Sequence, residues 1–150
     1  MTDIVRKLEE FANSKSYVFE YGRKAVINLI DTGDNFTGLP NTIYFLLEYR
    51  KIKPVKNVTK TATKGVAYEG TFYLVKQSDL DQNFFSETGE QATGKYVVNI
   101  EPLLQGLTDL DRYFGCTEIE YSTTSADDVT DFLDMNADGL MVNFTAYVPN

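Results

Sequence analysis

The sequence lacks several residue types that proteins use for chemistry. Its 150 residues include no histidine, no tryptophan and a single cysteine, Cys116. Histidine is the side chain most often used for proton transfer near neutral pH and for binding metals. A lone cysteine excludes an intramolecular disulfide and a multi-cysteine zinc site. We therefore expect a binding or structural protein rather than an enzyme, with no cofactor, and Cys116 as a small buried apolar side chain. Catalysis by a pair of carboxylates is the enzymatic alternative that these absences leave open.

Long apolar runs are also missing. The best run, Ile43–Leu47, has the length of a strand and falls far short of the ~20 apolar residues that cross a bilayer. The first residues, MTDIVRKLEEF, are charged and amphipathic and contain no apolar segment typical of a secretory signal. These features predict a protein with no membrane partner.

The sequence does contain enough apolar material for a folded core. Hydrophobic residues make up 43% of the chain, which includes ten tyrosines and ten phenylalanines, and 24% of the residues are charged. This balance is ordinary for a folded protein, and the length is close to the commonest domain size. Residues 1–150 are therefore predicted to form a single domain.

Charge is distributed unevenly along the chain, whose net charge is −8. Residues 77–150 contain fourteen acidic residues and only two basic ones, Lys95 and Arg112. A second stretch, between Tyr49 and Tyr68, is basic. Both stretches can be solvated surface, or the basic stretch of one subunit can contact an acidic surface of its neighbour. Sequence-specific DNA binding is less favoured, because the overall negative charge repels phosphate. The basic stretch between Tyr49 and Tyr68 contains no acidic residue and consists of Arg50, Lys51, Lys53, Lys56, Lys60 and Lys64.

Apolar periodicity predicts an α+β fold, in which an antiparallel β-sheet carries two main helices on one face. The first helix starts at Thr2 or Asp3, and the second spans about Glu101–Phe114. Residues 23–31 fit either a helix or a strand, and residues 31–41 and 78–94 are typical of loops. Strands are predicted at Tyr17–Tyr21, Thr42–Ile52, Tyr68–Val75, Glu118–Tyr121 and Leu140–Val148. Ser125 and Asp128 have the spacing of a helix N-terminal cap.

The segment Lys53–Val66 is rich in lysine and threonine and poor in large apolar residues. Between two strands, it predicts a long antiparallel hairpin that projects as an arm over about residues 50–68. Such an arm cannot pack a core of its own and would need a partner to become ordered. We therefore expect its six basic residues, Arg50, Lys51, Lys53, Lys56, Lys60 and Lys64, to form a subunit interface.

One short motif is similar to the start of a calcium-binding loop. Asp134, Asn136, Asp138 and Gly139 match D-x-[DN]-x-[DN]-G. The twelfth position, which normally supplies a bidentate Glu, is Thr145. A tight turn with Gly139 at positive φ is thus favoured over a metal site. The alternative to a structural role is a small soluble module that binds a cation or small ligand without catalysis.

The order of elements resembles the tail-terminator and tail-completion proteins of tailed bacteriophages, including the connector-ring proteins of crAss-like phages. Four segments carry this resemblance: Tyr17–Gly22 (YVFEYG), Asn41–Tyr49 (NTIYFLLEY), Tyr68–Asp81 (YEGTFYLVKQSDLD) and Asp134–Thr145 (DMNADGLMVNFT).

The resemblance implies a structural virion protein, assembled in the host cytoplasm, that forms a homo-oligomeric ring at the head–tail junction. Its partners would be copies of itself, other connector or tail proteins, and DNA that passes through the channel without sequence-specific binding. The family has no catalytic residues. Acidic residues that face the channel would repel phosphate and let DNA slide.

Overall fold

The computed structural model describes residues 3–22, 42–77, 99–132 and 137–150. Over these ranges the chain is α+β, with two helices and a five-stranded mixed sheet, which confirms the predicted fold class. The segments predicted as loops at 31–41 and 78–94, and the ambiguous segment 23–31, lie outside the described residues. In chain order the elements are α1 (Ile4–Ser14), β1 (Val18–Tyr21), β2 (Ile43–Lys56), β3 (Thr63–Gln77), α2 (Glu101–Gly115), β4 (Glu120–Phe132) and β5 (Ala137–Pro149).

The strand order in the sheet is β1-β2-β3-β5-β4. The pairs β2–β3, β3–β5 and β4–β5 are antiparallel, as expected. The short strand β1 instead runs parallel to β2, with Val18 beside Tyr44 and Tyr21 beside Leu47. Beyond Leu47, no described residue pairs with the outer edge of β2.

The predicted hairpin is present, but its strands are longer and its free tip is shorter than expected. β2 and β3 continue through Lys56 and from Thr63, and β5 accompanies β3 as far as Gly65. Pairing with β5 satisfies the backbone N–H and C=O groups of β3, whatever its side chains are. This explains why the polar start of β3 is extended. Only residues 56–64 extend past β5, rather than an arm over residues 50–68.

Both helices pack on one face of the sheet. Asp3 caps α1 by accepting a hydrogen bond from the Val5 amide at 3.1 Å. Gly106 lies where α2 packs closely, since an added Cβ would come within 2.9 Å of the Tyr17 hydroxyl. The buried core between helices and sheet includes Ile4, Leu8, Phe11, Leu103, Leu110, Phe114, Leu74, Leu140, Val142 and Val148.

A row of aromatic rings crosses this core from strand to strand. Phe45 stacks on Phe72 with ring centroids 4.4 Å apart, and Phe72 lies 5.7 Å from Phe144. Tyr121 then stacks on Phe144 at 5.9 Å and on Phe114 of α2 at 4.8 Å. The row therefore connects β2, β3, β5, β4 and α2 in one packed unit.

Strand β4 differs most from expectation. It was predicted to end at Tyr121 but continues to Phe132. Ser125 and Asp128 do not cap a helix; they pair with Asn143 and Leu140 of β5. An exposed strand at the sheet edge needs no apolar alternation, and β4 is held by its backbone ladder.

Cys116 follows α2 and is exposed, so the expectation of a buried cysteine was wrong. Neither helix in the described part of the chain is long and apolar enough to cross a membrane.

Candidate subunit interface

The six basic residues predicted as an interface fall into three groups in the structure. Arg50 is bound within its own subunit, because its Nη2 and Nε donate to the Asp3 carboxylate at 2.7 and 3.2 Å. Hydrogen bonding from Arg50 is the main reason that the pKa of Asp3 is lower than usual. The Arg50 guanidinium also lies 5.9 Å from the centre of the Tyr21 ring. Arg50 thus ties the start of α1 to β2.

Lys51 and Lys53 share one carboxylate within the subunit. Their Nζ atoms lie 3.8 and 3.1 Å from Oε1 of Glu69 on the adjacent strand β3. All three side chains are largely exposed, so these ion pairs contribute little to stability. Part of the positive charge of both lysines is nevertheless neutralised locally.

Lys56, Lys60 and Lys64 form the third group. They lie around the turn between β2 and β3, are exposed, and make no ion pair with any residue in the described ranges. Val58 lies at the same turn and is fully exposed, at 101% of its reference area. We call residues 56–64 the lysine turn; it combines three available cations with one exposed apolar side chain.

Hydrogen bonds within the subunit order the lysine turn. The Asn57 carboxamide oxygen accepts from the Thr61 amide at 3.0 Å and from the Thr59 hydroxyl at 3.1 Å. The Lys60 amide donates to the Asn57 carbonyl at 2.9 Å. At the base, the Asn150 amide donates to the Lys64 carbonyl at 3.1 Å. The turn therefore has a defined conformation without the partner that sequence reasoning required.

Acidic residues lie on strand β4, at the opposite edge of the sheet. Glu120, Asp127 and Asp128 of β4, and Glu118 just before it, are exposed and form no ion pair with another described residue. The described side chains of β4 include no basic residue. The lysine turn, at the end of the β2–β3 hairpin, and the edge strand β4 thus carry unpaired charges of opposite sign.

A groove of about 520 Å³ lies where α2 ends and β4 begins. Phe114 and Ile119 form its buried floor, Tyr121 is partly exposed in it, and Asp111 and Glu120 are acidic residues of its lining. Tyr121 is partly buried here, and this burial raises the pKa of its phenol well above the usual value. We call this site the β4 groove; it is a mixed polar and apolar recess whose lining includes acidic residues.

A second groove, of about 390 Å³, lies on the sheet face opposite the helices. It is lined by Lys53, Glu69, Glu120 and Tyr147, among others. The Tyr147 hydroxyl is buried and has no hydrogen-bond partner among the described residues. It lies against Gly65, where an added Cβ would be 2.5 Å from that oxygen.

The calcium-like motif does not form a described metal site. Asp138 is fully buried in β5, where its Oδ2 accepts a hydrogen bond from the Asn99 side chain at 3.1 Å. Gly139 lies within β5, paired with Val75 and Val129, and is not at positive φ as the turn interpretation required. Asp134 and Asn136 lie outside the described residues. Within the described ranges, no group of three or more Cys, Asp or Glu residues is arranged to hold a metal ion.

Sequence reasoning identified the charged segments but missed Val58 and the β4 groove. Val58 could have been noticed as a lone valine within a stretch rich in lysine and threonine. No local sequence pattern indicates the β4 groove. No protein-family model matches the chain, and no curated protein matches it either.

Proposed function

We propose that this protein is a structural subunit of a phage virion, which forms a homo-oligomeric ring at the head–tail junction. The observation that carries the proposal is the separation of unpaired charge, with the lysine turn at one side of the sheet and acidic β4 at the other. The element order, which resembles that of tail-terminator proteins, supplies the virion context.

Two different surfaces of opposite charge favour head-to-tail association. Such a heterologous contact leaves one free surface of each kind on every added copy, and it generates a ring when the rotation between copies closes. Complementary charge also speeds encounter and fixes the register of the contact. A two-fold dimer formed through the lysine turns themselves would place like charges together, which is unfavourable.

The proposed role needs no catalysis and no bound cofactor. DNA would pass through the central channel without sequence-specific contacts, because the net charge of −8 opposes tight binding to phosphate. Other connector or tail proteins would flank the ring.

The proposal is tested by native mass spectrometry and negative-stain imaging of the purified protein at high concentration. We expect closed rings for the wild type and subunits only for the triple variant K56E/K60E/K64E. The control R6E/K7E/R112E changes net charge equally but places the change on the helices; it should still assemble. A wild-type protein that is monomeric at every concentration would refute the ring, and full assembly of K56E/K60E/K64E would refute the role of these lysines.

A further inference from the structure

We infer that the lysine turn of one subunit inserts into the β4 groove of the next copy, with Val58 as the buried contact. This inference rests on the proposed ring and specifies which surfaces meet. The occupant of the groove is thus a second copy of this chain.

The lysine turn has the properties of an inserted element. Val58 is fully exposed in the isolated subunit, and removing its apolar surface from water favours association. The Asn57 hydrogen bonds already fix the backbone on both sides of it. A preorganised turn loses less conformational freedom on binding than a flexible one, so more of the contact energy is retained.

The β4 groove complements the turn mainly in charge. The partly exposed Tyr121 ring and the exposed Gly115 and Thr117 supply the carbon surface that Val58 would contact. Asp111 and Glu120 line the same groove, and neither is engaged in an ion pair with a described residue. Lysines on both sides of the turn would therefore find carboxylates beside the apolar contact.

Strand register places the two surfaces at the same end of the sheet. Glu120 pairs with Tyr147, Tyr147 with Ala67, and Ala67 with Lys53, which lies close to the lysine turn. β2 and β4 run in opposite directions at the two sides of the sheet. A copy placed beside the first in the same orientation thus brings its β4 groove next to the lysine turn.

The exposed native cysteine provides a direct test. Cys116 lies between Gly115 and Thr117, which both line the β4 groove. In the variant V58C, mild oxidation should link position 58 of one copy to Cys116 of the next, and non-reducing gels should show a ladder of multimers.

Two controls make the crosslinking result specific. V58C/C116S should give no ladder; dimers in that variant would show that turns meet each other and would overturn the inference. N13C places the new thiol on α1 and should also give no ladder. Because Val58 is fully exposed, we expect V58C to keep the wild-type circular dichroism spectrum.

A charge swap separates this inference from the proposed function. K56E/K60E/K64E and D111K/E120K should each fail to assemble alone, whereas an equimolar mixture should form mixed assemblies in which the two variants alternate. If the wild type forms rings but V58C gives no ladder and D111K/E120K assembles normally, the ring stands and this contact is refuted. If the wild type never assembles, the proposed function fails and the contact fails with it.

Discussion

The ion pair between Asp3 and Arg50 yields a prediction about stability. The same variants test whether Arg50 stabilises its own subunit rather than binding another copy, as proposed for the lysines of the turn. Asp3 has two roles: its Oδ1 accepts the Val5 amide at the start of α1, and its carboxylate binds Arg50 of β2. D3A removes both interactions. D3N keeps an oxygen that can cap the helix but loses the charge.

The expected magnitudes follow from the geometry. Loss of an N-cap costs about 1 kcal/mol, and a partly exposed ion pair contributes about 0.5–1 kcal/mol. D3A should therefore lower the free energy of unfolding by about 2 kcal/mol and D3N by about half as much. For a domain of this size, D3A corresponds to a drop in Tm of about 4–8 °C. R50M should cost about 0.5–1 kcal/mol, because the cap remains.

The assay is urea unfolding followed by far-ultraviolet circular dichroism, since the chain has no tryptophan. The double variant D3A/R50M completes a cycle that isolates the coupling between the two residues. R6A is the matched control: its Nη1 lies 3.1 Å from Glu9 on the exposed side of α1, and we expect a loss below about 0.5 kcal/mol.

The pH dependence has a definite sign. The pKa of Asp3 is lowered in the folded state, chiefly by hydrogen bonding from Arg50. Its contribution is then present above the unfolded-state pKa of about 3.9 and is lost as pH falls through the lower, folded-state value. The difference between wild type and D3N should shrink accordingly in acid. A coupling near zero in the cycle, or a smaller native mass for R50M under ring-forming conditions, would refute the structural role of Arg50.

Two further predictions concern the sheet. G139A should destabilise the protein by about 3 kcal/mol in the same urea assay, because an added Cβ collides with the Leu74 carbonyl and comes within 2.8 Å of the Val75 Cα. G115A is its control: a Cβ there meets nothing within 4 Å, so stability should stay the same or rise by up to about 1 kcal/mol, and equal losses for both variants would contradict the packing argument. Y147F removes the buried hydroxyl that lacks a described partner and should raise stability by up to about 1 kcal/mol; a clear loss would mean that this oxygen has a bonding partner.

The elements that periodicity predicted best are those with one apolar face. In α1 the spacing of Ile4, Leu8, Phe11 and Ala12 gave the buried side correctly. In β5 the predicted inward residues, from Leu140 to Val148, are all buried. When one face of a helix or strand is buried, apolar residues recur at a regular spacing, and this spacing can be recognised in the sequence.

The strand segments that were not predicted have no side-chain pattern typical of a strand. Polar β4 and the lysine-bearing ends of β2 and β3 are strands because a neighbouring strand satisfies their backbone. Gly139 was interpreted as a turn residue. In the structure it lies inside β5, where the neighbouring strand β3 leaves no space for a Cβ. β1 has only four residues, and their sequence does not indicate whether the strand runs parallel or antiparallel to β2.

For the candidate interface, the sequence revealed the charges but not their partners. Arg50 and Asp3 are separated by 47 positions, and their contact depends on the docking of α1 against β2. The lysine turn was recognised because its three lysines lie within nine residues of the sequence with no acidic residue among them, whereas the β4 groove combines the end of a helix with the start of a strand. Assembling such a site requires the tertiary structure.

The aromatic row has a consequence for how this chain folds during translation. Its rings come from Phe45, Phe72, Phe114, Tyr121 and Phe144, so neighbours in the core are far apart in the sequence. The ribosome must release the chain past Phe144 before the last ring can take its place. The nascent chain therefore lacks a complete core until β5 has emerged, and its dependence on distant pairings predicts slow folding.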